Sequence, residues 1–317
     1  MKNTDPASFP GKILLLGEYS IILGGEALTV PLERFSGSLQ YPASNIEAVD
    51  FARKSNHAIR EFLHYLQTPP IISRMDFPLD LDLLEASIHK GMFFRSTIPQ
   101  GYGAGSSGAL VAAIFSQFTK PKIKPASFND PATLRTLRKQ LSLMESFFHG
   151  SSSGLDPLTS LLGKPLHAHA SGNITFPDLS GFFPQTHTRV FLLDTGITGN
   201  TKPLVEGFRK QLETRELNGE LLKALSNEVV HALLHKDHTL FSDFLAQLSL
   251  FQLENMQPMI PGPVRPLWRR GLETGRWTLK LCGSGGGGYV LGFAPESVGI
   301  EAVVRAEGMK MLELEVL

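Results

Sequence analysis

Apolar residues recur along this chain with two periods, and the changes of period fall where glycine, proline and serine interrupt them. KILLLGE, residues 12–18, and ALTVPL, residues 27–32, are short unbroken apolar runs on either side of Gly24 and Gly25. That arrangement predicts two strands of one hairpin-like unit. Between 50 and 66, Phe51, Ile59, Phe62, Leu63 and Leu66 fall at helical spacing. Leu110, Val111, Ile114, Phe115 and Phe118 predict a second helix with one apolar face. Leu134, Leu137, Leu141, Met144 and Phe148 predict a third, with the clearest stripe.

Residues 150–187 break this rhythm and leave only short strand candidates such as NITF. RVFLLD then reads as a buried strand, and three helical segments follow between about 203 and 253. WTLKLCG and GGYVLGF read as strands separated by a glycine run, with a short helix expected near 296–306 and MLELEVL as a closing strand. Strand, helices, two strands, helix and strand is the order of a split βαβ layer. The expectation is an α+β protein of two domains, 1–186 and 187–317.

A length of 317 residues with 42% hydrophobic content supports two cores. Lysine plus arginine equals aspartate plus glutamate at 30 each, so no nucleic-acid partner is expected. Cys282 stands alone, which excludes an internal disulfide framework and a multi-cysteine zinc site. No apolar run reaches membrane-spanning length and MKNTDPASF lacks a signal-peptide core. A cytoplasmic protein without a membrane partner is expected.

Two segments concentrate glycine. GYGAGSSGAL, residues 101–110, lacks the lysine that a Walker phosphate loop requires. Gly103, Gly105 and Gly108 match the dinucleotide spacing, but IPQ rather than a hydrophobic strand precedes them, and Asp130 sits in a turn. Two readings stay open: a tight strand-to-helix turn, or a phosphate loop of another design. In the second, backbone N–H groups and a helix N-terminus hold the anion, and the hydroxyls of Ser106 and Ser107 meet phosphate or Mg²⁺. In LCGSGGGGYVLGF the run Gly285–Gly288 weakens a strand, so close approach of a backbone or a ligand competes with a flexible hairpin turn.

Taken in order, GKILLLGEY, PQGYGAGSSGA and KLCGSGGGGY resemble the three motifs of the GHMP small-molecule kinases, the lysine-bearing strand, the PxGxGxGSS loop and the C-terminal glycine loop. HGSSSGLDP, residues 149–157, and NTKPLV, residues 200–205, resemble HGxPSGxDN and NTRALV of the mevalonate kinase branch. The chain departs from that branch at Tyr19, Ser152, Pro157 and Gly199, where the family has histidine, proline, asparagine and arginine. The resemblance implies an N-terminal domain like ribosomal protein S5 and a ferredoxin-like C-terminal domain. It implies ATP and Mg²⁺ as cofactors and a small hydroxylated molecule as partner, mevalonate first and phosphomevalonate or a sugar otherwise, with a homodimer as an assembly open to it. A non-catalytic nucleotide-binding relative is the alternative from another class.

The resemblance also assigns roles. Asp156 becomes the base and Lys12 its partner at the developing alkoxide; Glu145 and Ser107 hold the metal. Gly101, Gly103, Ala104, Gly105, Ser106, Ser107 and Gly108 bind ATP. Glu18, Tyr19, Thr201, Gly285 and Gly286 lie near the substrate. Read without the family, each residue has a plainer explanation. Ser153-x-x-Asp156 fits a capping box, Lys12 a solvated strand end, Glu18 a hairpin charge and Glu145 a solvated helix edge. His149 reads as a cap at a helix C-terminus, and Cys282 as a packed strand residue.

Overall fold

Both apolar runs at the start of the chain become strands, β1 (Phe9–Leu16) and β2 (Ala27–Gln40), hydrogen-bonded neighbours joined through a short 3-10 turn at Ser20–Leu23. β2 continues well beyond ALTVPL because its polar end still has a covered face. Gly37 lies under the ring of Phe94, which fills the space a Cβ would take. The computed structural model describes residues 6–42 and 47–314. Its contacts divide them into two compact units, one from residues 6–12, 31–42, 47–99 and 105–164 and the other from 13–30, 100–104 and 165–314.

The first unit holds α1 (Glu47–Leu66), α2 (Pro69–Ile72), α3 (Leu81–His89), β3 (Phe93–Ser96), α4 (Ser106–Phe118), α5 (Pro131–His149) and α6 (Leu155–Leu162). β3 pairs antiparallel with Gly37–Gln40 of β2. α5 follows its predicted stripe, started by Asp130, whose carboxylate accepts from the Thr133 N–H. α4 departs from the single apolar face expected of it. Gly108 through Phe115 are all buried, because α3, α5 and α6 pack around it. Small residues, Gly108, Ala109, Ala112 and Ala113, permit that enclosure.

The second unit carries β4 (Leu166–Ala168), paired antiparallel with Ala27–Thr29 of β2, and β5 (Ile174–Thr175), the only part of NITF that forms a strand. α7 (Phe182–Gln185) precedes a four-stranded antiparallel sheet in the order β7-β8-β6-β9. Its strands are β6 (Thr188–Asp194), β7 (Thr278–Leu281), β8 (Tyr289–Pro295) and β9 (Lys310–Glu313). RVFLLD lies within β6, the first of these strands in the chain. The end of MLELEVL, residues 315–317, lies outside the described residues.

α8 (Thr201–Glu213), α9 (Gly219–Leu234) and α10 (His238–Asn255) are the three expected helices. α11 (Val264–Thr274) has no counterpart in the sequence reading, since prolines bracket its start and arginines dilute its stripe. Trp268 anchors it, fully buried, with Nε1 donating to Ser249 Oγ at 2.8 Å. Near 296–306 Gly299 splits the expected helix into a 3-10 turn, Glu296–Val298, and α12 (Ile300–Ala306). No helix among the described residues is long and apolar enough to cross a membrane.

Candidate active site

Lys12 sits within β1 and Asp156 in the first turn of α6, and their Nζ and Oδ2 atoms are 3.0 Å apart. The lysine side chain is 6% exposed and the aspartate 31%, so the pair opens to solvent on the carboxylate side. Asp156 does not close a capping box: Gly154 is the N-cap of α6, in the left-handed region, with no side-chain cap. The carboxylate is therefore free of the role that a local reading gives it.

Two glycines of the first loop explain how α4 comes so close to this pair. A Cβ on Gly105 would stand 2.8 Å from Lys12 Cγ. One on Gly108 would stand 2.8 Å from the Asp156 carbonyl carbon and 2.9 Å from its Cβ. Side chains at 105 and 108 would push the ion pair aside. Gly103 differs, being left-handed at φ +71 with Cys282 O at 4.0 Å as its nearest neighbour, so its open side stays clear. α4 starts from Gly105 without a side-chain cap, which leaves its first-turn N–H groups available to an anion.

Glu145 lies on the buried side of α5. Its Oε1 accepts from Ser107 Oγ at 3.2 Å, and its Oε2 accepts from Ser152 Oγ. Burial, and next the charge of Asp156, push the Glu145 carboxyl up to about 8. At neutral pH it is mostly protonated in the absence of a compensating cation. Hard oxygens on a buried carboxyl and a serine are a donor set that fits Mg²⁺, whose charge would favour the ionised form. His149, set aside in the sequence, belongs here: its Nε2 is 3.0 Å from Ser107 Oγ. Burial lowers its proton affinity, so it meets the hydroxyl as a neutral ring.

The HGSSSGLDP segment is fixed by α5. Ser142 Oγ donates to Ser152 O at 2.6 Å, Arg138 Nε donates to Ser153 O at 2.8 Å, and Gly154 N donates to Ser152 Oγ at 2.9 Å. Ser152 thus spends its hydroxyl on Glu145 and on its own turn.

The remaining candidates lie in the second unit. Tyr19 donates its hydroxyl to Ser284 O at 2.7 Å and packs on Phe208, in the left-handed region at φ +61. Burial raises its phenol well above the ordinary range. Thr201 Oγ1 is 2.9 Å from Ser284 Oγ. Ser284, which sequence reasoning missed, joins both, its backbone O meeting Tyr19 and its Oγ meeting Thr201. Glu18 is 1% exposed, its Oε1 accepting from Gln252 Nε2 at 2.6 Å and its Oε2 from Lys280 Nζ at 2.8 Å. Both its oxygens are engaged by buried protein groups, so Glu18 is a structural anchor of this unit.

Backbone packing accounts for much of the second glycine run. A Cβ on Gly285 would collide with Met259 O, one on Gly286 with Leu204 Cδ1, and one on Gly288 with the Tyr102 backbone. Gly199 N donates to Gly101 O at 2.9 Å, and Tyr289 N donates to Tyr102 O at 3.3 Å. Residues 100–104 are therefore bonded to the segments around 199 and 288. A Cβ at 199 would stand 2.9 Å from Gly285 O. The position where the family has arginine is thus held here by close backbone contact.

Comparison with known proteins bears on what these groups do. No protein-family model matches the chain. A protein of Thermococcus sibiricus named mevalonate kinase is 24% identical over 312 residues, covering 92% of this chain and 89% of that one. Another of that name from Pyrococcus horikoshii is 27% identical over 318 residues, covering 91% and 88%. The crystal structure of L. major mevalonate kinase in complex with R-mevalonate superposes with a TM-score of 0.64 at 16% identity, covering 98% of this chain and 95% of that chain.

Proposed function

We propose, for a chain that is GHMP-kinase-like in sequence and fold and similar to mevalonate kinases among them, that it transfers the γ-phosphoryl group of ATP to the C5 hydroxyl of mevalonate. It is an ATP:alcohol phosphotransferase, and the observation that carries the reading is the Lys12–Asp156 pair at 3.0 Å.

Phosphoryl transfer passes through a loose, anionic transition state, so the protein positions groups and stabilises charge. Asp156 accepts the proton of the attacking hydroxyl as the new P–O bond forms. The Lys12 ammonium faces the oxygen on which charge develops. Backbone N–H groups of Gly101–Gly108 and the first turn of α4, with Ser106, hold the phosphates of the ATP substrate. Glu145 and Ser107 would hold Mg²⁺, which would supply positive charge to neutralise the phosphates. Neutral His149 orients the Ser107 hydroxyl. Tyr19 and Thr201 fix Ser284 and with it the second glycine loop, which includes Gly285 and Gly286; Glu18 supports that region through Lys280. Residues 1–186 carry the reacting groups in this scheme and 187–317 the second loop.

ADP release with mevalonate, beside a panel of phosphomevalonate and galactose, tests the acceptor. Turnover is expected with millimolar mevalonate and at least about tenfold lower kcat/KM with the others. A second reading, another hydroxylated acceptor, is favoured by Tyr19, Ser152 and Gly199, because each is committed to internal contacts that differ from the family's residues. Faster turnover with another panel member selects it.

Gly108→Ala tests the packing of the site. The added methyl must displace Asp156 or Pro157, and a shift near 1 Å at a reacting group costs on the order of 100-fold in rate. Overpacking also costs about 1–3 kcal/mol, read by urea unfolding. An alanine variant with unaltered kcat would show that α4 does not set the position of the base.

A further inference from the structure

Away from these groups, four side chains that the reaction does not use converge in the second unit. Glu26 precedes β2, His167 lies on β4, His169 follows it, and His231 lies on α9. One ligand atom from each of Glu26, His167 and His169 lies within 4.8 Å of the others. Glu26 Oε2 is 2.7 Å from His167 Nε2 and 3.3 Å from His231 Nε2. The rings of His167 and His169 are 3.8 Å apart between centroids. We propose that Glu26, His167, His169 and His231 form a tetrahedral site for a borderline divalent cation, Zn²⁺ first, which ties the start of β2 to β4 and α9.

The donors suit that ion: imidazole nitrogens with one carboxylate, four in number. Zinc bonds of about 2.0–2.1 Å to nitrogen and oxygen set ligand atoms about 3.3 Å apart on a tetrahedron. The His231–Glu26 separation already has that length, and the His167–Glu26 hydrogen bond would open by about 0.6 Å to reach it. Outer contacts orient the ligands as metal sites require. His169 Nε2 is held by Thr175 Oγ1 at 2.9 Å, which leaves Nδ1 as its ligand atom. Asn227, one turn before His231 on α9, accepts the Glu26 N–H at 2.9 Å and fixes that backbone against the helix. His231, 48% exposed, leaves the cluster open to an entering ion.

The test is zinc titration of untagged, chelator-stripped protein against a fluorescent zinc indicator in millimolar Mg²⁺, with thermal melts alongside. One equivalent is expected to bind and raise the melting temperature. His169→Gln and His231→Gln are each expected to weaken binding on the order of 100-fold or more, while Glu145→Gln leaves it unchanged. His231 is exposed on its helix, so its variant keeps the fold, checked by circular dichroism. Binding of no zinc by the wild type, or equally tight binding by His231→Gln, overturns the site. Loss of zinc in Glu145→Gln overturns it as well. None of these readings depends on which acceptor the enzyme phosphorylates.

Discussion

Asp156→Asn is expected to lower phosphoryl transfer by about 10²–10⁴-fold while ATP binding changes little. The carboxamide keeps the shape of the side chain, and its oxygen still accepts a hydrogen bond from Lys12, so the first turn of α6 has no reason to move. What it lacks is a basic oxygen for the acceptor's proton. Single-turnover transfer of labelled phosphate, with calorimetric titration of ATP, separates the two effects. A fall in kcat at constant ATP affinity assigns the proton transfer to Asp156. Transfer within tenfold of wild type would remove the base from the mechanism and leave Lys12 with charge stabilisation alone. Lys12 is only 6% exposed and loses the charge that faces it, so the stability of the variant is measured separately from its rate. Denaturation of the variant at wild-type urea concentrations would confirm that the lost rate is not lost fold.

The path from sequence to site was readable where periodicity and motif spacing agreed. The stripe of α5 placed Glu145 at its border, and the structure buries it there against Ser107, as the paired motifs implied. Local readings failed where distant chain sets the environment. Ser153 and Asp156 have capping-box spacing, yet Gly154 starts α6 in the left-handed region and releases Asp156 toward Lys12. His149 has the position of a helix cap, and only the fold brings Ser107 to its ring.

Lys280 shows the same limit more sharply. Inside WTLKLCG it reads as one polar residue of a strand, whereas it is fully buried and answered by Glu18, 262 positions earlier. No local signal could pair them. The glycine loops were legible as sites of close approach, but not as to what approaches. Gly105 and Gly108 meet the protein's own ion pair, and Gly285 and Gly288 meet its own backbone. Gly103, with its open side, is the position in these loops whose glycine is set by backbone angle rather than by crowding.

Glu145→Gln is expected to reduce divalent-dependent turnover at least about 100-fold, as loss of a transition-state charge contact does, and to alter the pH dependence of stability in a definite direction. The folded carboxyl binds its proton more tightly than the unfolded chain does, with a value of about 8 against the ordinary 4.5. Its contribution to stability is thus fully present below about pH 4.5 and is lost as pH rises through about 8. Glutamine has no proton to lose. In metal-free buffer the variant should melt together with the wild type at pH 5 and several degrees above it at pH 9. Added Mg²⁺ should then raise the melting temperature of the wild type at pH 9 and leave the variant unmoved, because the cation replaces the proton that the buried carboxyl otherwise needs. Parallel melting curves from pH 5 to 9 would mean that Glu145 is not raised. A response to Mg²⁺ in the glutamine variant as large as in the wild type would take the metal away from Glu145 and Ser107 altogether.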